Sequence, residues 1–480
     1  MSIAEVGAQL ENYIQQSKAE KSVVLNQQSP DVIAEELQLK ERFRHGFQNQ
    51  SDLLDFTATY LEHTNHLSHP HYMGHQVAVP QELSGIPELI HGSINNPSSL
   101  YEMGPAGGTL EGFMINWMLD KVGWLEDQDY YNFKFEPGRA SGLLTHGGSV
   151  ANLTALAAAR AHAAPEAWQK GNPENLVVLG AASAHYSIAR ALSLLGMGAE
   201  AFIPVPVDAN EVMDTRQLAP IYEKLRAENK KVMCVVANAC ATSTGLFDPI
   251  DTIGDFCLKH QLWFHIDGAH GAAALAGEKS KHLLKGVEKA TSIIWDAHKM
   301  MRVPALCTAV LFNDFIYQAK AFQQKGSYVF HDDEVVGMDS MPYTIECTKS
   351  ALGTKLFWAF ALEGEAAIGT YVDRSFALTH QFYSHLITDS AFETPYVPQS
   401  NILCFRYIAL DASDDFQKKL RYKIINNHNY YITSCMLNGR RYLRIVLMNP
   451  HTQMSHLLGL IEEIKKIAAE VYKKYKKRSS

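Results

Sequence analysis

The sequence predicts an α/β fold with a mainly parallel central sheet, an N-terminal helical segment and a small α+β C-terminal domain. Three observations predict it. Between residues 86 and 350, short apolar runs ("NLVVLG", "KVMCVVANA", "LWFHID", "SIIWDA", "TAVLFN") alternate with helix-length stretches such as "HYSIARALSLLG" and "IDTIGDFCLKH". Runs rich in Val and Ile, continuous rather than alternating, mark strands covered on both faces. The pattern differs on either side of this region, which sets the other two parts of the prediction.

Residues 1–85 read as helices and loops, with amphipathic spacing in "VIAEELQLKERFRHGF" and a histidine-rich turn, "HTNHLSHPHYMGHQ". Residues 86–350 carry the strand and helix alternation, and in sheets of this kind ligands sit at the carboxyl ends of the strands. From 351 onward a long helix or helix pair is followed by the strand-like "NILCFRYI" and "RRYLRIVLM" and by a closing helix from about 452. The basic end, "EVYKKYKKRSS", fits a solvated helix terminus.

Composition narrows the function classes. A chain of 480 residues, 46% hydrophobic and 20% charged, can bury a large core, and a net charge of -8 opposes binding to a phosphate backbone. No nucleic-acid partner is expected. The first residues lack the basic and apolar succession of a signal peptide, and no window is apolar enough to span a bilayer, so no membrane association is expected. Seven scattered cysteines without a C-x-x-C pair fit a reducing cytoplasm rather than a disulfide framework.

Four short stretches carry candidate chemistry. In "LLTHGGSVANLTALAAARAHA" a strand passes through Gly147, Gly148 and Ser149 into a helix, and free N–H groups at such a start suit an anion. The spacing matches neither the P-loop nor the dinucleotide fingerprint, and alone a Gly-Gly-Ser turn is an ordinary cap. Asp267 ends a strand in "LWFHIDGAHGAAAL", where Gly268 and Ala269 leave room for a flat ligand. His185 precedes a helix. Lys299 follows Asp267 by 32 residues, beside His298, and a lysine placed there becomes a nucleophile where its surroundings lower its pKa from about 10.4. Together these groups meet the demands of pyridoxal 5'-phosphate: an anion cradle, a carboxylate for the ring nitrogen and a lysine for the aldehyde.

At this point the chain resembles the group II pyridoxal-phosphate-dependent amino-acid decarboxylases, which act on glutamate, cysteine sulfinate, aromatic amino acids or diaminobutyrate. The likeness runs in order through "HPHY", "YEMGPAGGTLE", "GGSVANL", "AHYSIARAL", "TSTGLFDPI", "HIDGAHGA", "DAHK" and "YLRIVLMNPHT". It implies an aspartate-aminotransferase-like fold, fold type I of the pyridoxal-phosphate enzymes, and loss of the α-carboxylate of an L-amino acid to give an amine. It implies that Lys299 anchors the cofactor covalently, Asp267 pairs with the ring nitrogen and His185 stacks on the ring. Ser149, the Val150 amide and His298 correspond to phosphate-binding positions, and Thr242 to a threonine near the cofactor. Tyr328, in "KGSYVFHDDE", matches a loop tyrosine that returns a proton to the substrate carbon. Residues around Tyr101 match positions that family dimers lend across their interface, which implies a homodimer with active sites at that interface.

The chain also departs from the family pattern. His146 and Val150 flank the Gly-Gly-Ser turn, Cys240 and Ala241 replace a glycine and a hydroxyl residue, and Met300 stands where tryptophan is frequent. His75 and Gln76 correspond to the stretch that reaches the substrate side chain; being hydrogen-bonding, they favour a polar or acidic substrate and leave aromatic ones open. His63, His66, His69, His71 and His75 crowd the same passage, but without H-E-x-x-H or a cysteine partner no metal is expected. Two other outcomes stay open: an aldehyde synthase or carbon–carbon lyase of the same fold, and a catalytically silent, cofactor-binding partner protein.

Overall fold

A computed structural model describes residues 2–125, 129–322, 337 and 339–479. The chain forms two compact units, one of residues 80–376 and 398–400, the other of 1–79, 377–397 and 401–480.

Among the described residues the larger unit holds seven strands: β1 (Ser141–Thr145), β2 (Leu176–Ala181), β3 (Phe202–Val205), β4 (Lys231–Asn238), β5 (Trp263–Asp267), β6 (Ser292–Asp296) and β7 (Thr308–Phe312). They are ordered β1-β7-β6-β5-β4-β2-β3. The pairs β2 with β3 and β4, β4 with β5, and β5 with β6 are parallel, whereas β7 runs antiparallel to β1 and β6. The mainly parallel sheet predicted from the apolar runs is present, and β7 is its exception for a physical reason. A parallel return needs a crossover, usually a helix, and the stretch between β6 and β7 contains none. Because β7 alone is reversed, the carboxyl ends of the other six strands share one edge of the sheet.

Alanines of the helix Gly148–Ala163 let it lie close on that sheet. Ala151, Ala155, Ala158 and Ala159 are fully buried in one core with Leu143, Val178, Val236 and Ile294. The sequence-predicted helix pair is also present, Leu352–Glu363 and Glu365–Leu386, broken at Gly364, whose φ of +85° suits a residue without a Cβ.

The other unit contains an antiparallel sheet of β8 (Phe392–Glu393), β9 (Ile402–Tyr407), β10 (Thr433–Leu437) and β11 (Arg440–Val446), in the order β10-β11-β9-β8. Its core joins Phe405, Leu443 and Ile445 to Leu420 and Ile464 of the helices Asp414–Asn426 and Met454–Ser479. Met73 lies fully buried in that same core, so the histidine-rich turn belongs with segments more than 300 residues further along the chain. Among the described residues no helix is long and apolar enough to cross a membrane.

Candidate active site

One cavity of about 290 Å3 lies at the carboxyl edge of the large sheet. Gly148, Ser149, His185, Thr242, Asp267, Ala269, His298 and Lys299 all line it. Each reaches it from the end of a strand or from the residues that follow one, as the topology requires.

After β1 the chain passes through Gly147, whose φ of +114° is open only to glycine, into the helix at Gly148. A Cβ on Gly148 would lie 3.0 Å from Asp296 Oδ1, so the glycine permits the close approach of this turn to β6. The Val150 amide donates to the Gly147 carbonyl at 3.0 Å and Val150 does not line the cavity. The Val150 amide thus bonds within the first helical turn, and Gly148 and Ser149 line the cavity.

Asp267, 6% exposed, ends β5. Its Oδ2 accepts from Asn152 Nδ2 at 3.1 Å and its Oδ1 from the Ala269 amide at 3.3 Å. Asn152 also donates to Ser187 Oγ (2.9 Å), which lies 2.8 Å from His185 Nδ1, so one amide fixes both the carboxylate and the serine beside His185. On its other side Asn152 Oδ1 sits 2.9 Å from His265 Nε2, and His265 Nδ1 lies 2.8 Å from Ser292 Oγ, which accepts from Trp263 Nε1. Burial drives the His265 pKa down to about 4, keeping the ring neutral inside this relay. Burial also lowers His185, against the opposing charge of Asp267.

Lys299 Nζ lies 2.8 Å from Asp296 Oδ2, while Asp296 Oδ1 accepts from Thr308 Oγ1 at 2.6 Å. Burial pulls the Lys299 pKa down, but the Asp296 carboxylate, with help from Asp267, more than offsets it and the lysine stands above its ordinary value. The expectation of a lysine with a lowered pKa is thus reversed before any ligand binds, because a buried carboxylate sits one turn before it. His298 Nδ1 lies 2.9 Å from the Cys307 carbonyl and its Nε2 3.7 Å from Asp296 Oδ2.

His75 and Gln76 belong to the other unit. His75 Nε2 is 3.1 Å from the Tyr431 hydroxyl, and Gln76 Oε1 accepts from Arg444 Nη2 at 3.4 Å. Burial, then Arg444 and Arg421, hold His75 below the usual imidazole range. Tyr328 lies outside the described residues. Sequence reasoning missed Asn152, Ser187, His265, Asp296 and Thr308. Asp296 had a signal, an acid three residues before the lysine; the others are ordinary polar residues until the sheet brings them together.

The residues present fit pyridoxal 5'-phosphate. Gly148 and Ser149 at the helix start line the cavity, Asp267 is a buried carboxylate held by neutral donors, and Lys299 faces the same cavity.

Comparison with known proteins agrees. The conserved domain of pyridoxal-dependent decarboxylases matches residues 38–408. The chain is 26% identical over 442 residues to an aromatic-L-amino-acid decarboxylase of Bacillus atrophaeus, covering 90% of this chain and 88% of that protein. It is 25% identical over 462 residues to an acidic amino acid decarboxylase of Mus musculus, covering 92% and 81%. The crystal structure of mouse CSAD in apo form superposes with a TM-score of 0.85 at 22% identity, over 97% of this chain and 99% of that one.

Proposed function

The chain belongs to the pyridoxal-dependent decarboxylase family, and we propose that it converts an L-amino acid with a polar or acidic side chain into carbon dioxide and the amine. The observation that carries this is Asp267, a buried carboxylate held by neutral amides, in the same cavity as Lys299 and the Gly148 turn. When bound, pyridoxal 5'-phosphate supplies an electron sink for the carbon left as the carboxylate departs.

The chain's own residues take the following parts. Gly148, Ser149 and His298 hold the phosphate. Asp267 holds the ring nitrogen in its charged form, and Asn152 keeps that carboxylate in place. Lys299 would be the covalent anchor, and Asp296 Oδ2 holds the proton on its Nζ. His185, Thr242 and Ala269 would hold the ring, and Tyr328 would return a proton to the substrate carbon. His75 and Gln76 recognise the substrate side chain. The Arg444 guanidinium beside Gln76 and the name of the mouse relative both support an acidic one. A homodimer in the cytoplasm completes the proposal.

The test is direct. Purified protein is expected to carry a visible chromophore that borohydride fixes on the peptide containing Lys299, absent in Lys299→Ala. An amino-acid mixture is expected to yield one amine with equimolar carbon dioxide. Colourless protein that takes up no pyridoxal 5'-phosphate overturns the proposal, and aldehyde with peroxide as the main product overturns the amine.

A further inference from the structure

Of the crowded histidines at residues 63–75 only His75 has a part in the chemistry above, and in the smaller unit each has a different partner. His63 Nε2 pairs with Glu36, His66 packs its ring on Tyr13, His69 Nδ1 accepts the His71 amide, and His75 meets Tyr431. His71 differs from them. Its Nε2 lies 3.5 Å from Glu20 Oε2, and His456 Nε2 lies 3.3 Å from Glu20 Oε1, so three ligand atoms fall within 4.8 Å of one another.

Hydrogen bonding fixes which atom of His71 is bare. Its Nδ1 is 3.0 Å from the Asn429 carbonyl, which can only accept, so Nδ1 carries the hydrogen. Nε2 then turns a lone pair toward a carboxylate oxygen. In the neutral ring these two acceptors call for a cation between them, either a second proton on Nε2 or a metal ion. The two imidazole nitrogens converge on the one carboxylate, at 3.5 Å from Oε2 and 3.3 Å from Oε1. An imidazole whose other nitrogen donates to a backbone carbonyl is the usual support of a metal-bound histidine. Glu20 also takes a left-handed φ of 58°, unfavourable for a residue with a Cβ, just beyond the helix Ile3–Lys18. A cavity lined by Glu20, His71 and Asn429 opens beside the cluster.

We propose that Glu20, His71 and His456 bind a divalent transition-metal ion of the zinc class, clamping the end of the N-terminal helix to the first turn of the helix Met454–Ser479. Two imidazoles and one carboxylate suit zinc, cobalt or nickel rather than magnesium or calcium, which take all-oxygen sites. His456 sets the cost. The Gln453 amide donates to its Nδ1 at 2.9 Å, which leaves the hydrogen on Nε2, so metal entry moves that hydrogen to Nδ1 and releases one backbone hydrogen bond. The site is independent of the decarboxylase assignment.

Cobalt(II) titrated into the full-length holoenzyme tests it. One equivalent per chain is expected to develop the visible bands of four-coordinate cobalt and to lose them to zinc. His71→Ala and His456→Ala are expected to weaken binding by more than the roughly 10–100-fold that loss of an outer-sphere partner costs, and His63→Ala to leave it unchanged. Glu20 stands at an exposed helix end, so Glu20→Gln tests the site even where a histidine variant fails to fold. Absence of saturable uptake, or uptake that survives all three ligand substitutions, overturns the proposal.

Discussion

Asp267 and Asp296 end neighbouring strands of one sheet, are 6% and 2% exposed, and line the same cavity, yet their surroundings differ in kind. Asp267 is held by two neutral N–H donors from Asn152 and Ala269. Asp296 is held by a hydroxyl and an ammonium, from Thr308 and Lys299. Neutral donors stabilise a carboxylate without cancelling its charge, so β5 offers an incoming ring a full negative charge. At β6 the charge is already matched by the chain itself. Neighbouring acids of equal burial thereby take opposite parts, one waiting for a cation and one guarding a proton.

The largest effect is expected where the uncancelled charge is removed. Asp267→Asn keeps a hydrogen-bonding side chain and deletes the charge, and losing one partner of a buried pair, worth about 3–5 kcal/mol, lowers kcat/KM by roughly 10²–10⁴-fold. Borohydride would still fix the cofactor on Lys299. Steady-state kinetics check this, and a loss under tenfold would erase the distinction between the two acids.

Asp296→Asn sharpens the comparison through pH. The folded Lys299 pKa is raised, so its contribution to stability is present below the unfolded value of 10.5 and lost as pH rises through the folded one. In cofactor-free protein Asp296→Asn is expected to remove about 1.5–3 kcal/mol at neutral pH, the worth of a hydrogen bond to a charged group. It is also expected to move the alkaline loss of stability to lower pH. Urea unfolding across pH 7–11, roughly the lysine range, measures both. An unchanged alkaline limb would deny Asp296 its hold on the lysine proton.

The smallest effect is expected behind Asp267. His265, held at about 4 in the fold against 6.5 when free, leaves the unfolded state binding more protons between those values. Stability therefore falls as pH drops through that window. His265→Gln is expected to flatten this acid limb while changing activity at neutral pH by no more than a few fold, the scale of one neutral hydrogen bond. Unfolding midpoints at pH 7 and 5 decide it.

The parts that were legible share a physical cause. Strands buried on both faces have to be continuous apolar runs, so β2, β4, β5, β6 and β7 stood out, and groups at their carboxyl ends, Asp267 and Lys299, followed from topology. Asn152 and His265 were not legible because their roles depend on a contact spanning 113 residues of chain and on the register between strands. The direction of the Lys299 shift depended on Asp296, whose orientation is fixed by pairing with Thr308 on β7, the one reversed strand. Glu20 and His456 lie at opposite ends of the chain, and no local spacing signals that they meet His71.

The reversed strand also sets how local the contacts of the two acids are. Asp296 meets Thr308 across 12 residues of chain, whereas Asn152 meets Asp267 across 115. Short loops close at lower entropic cost and sooner. The counter-ion of Lys299 is thus a local contact of low closure entropy, whereas the carboxylate for the cofactor ring is held by a long-range one.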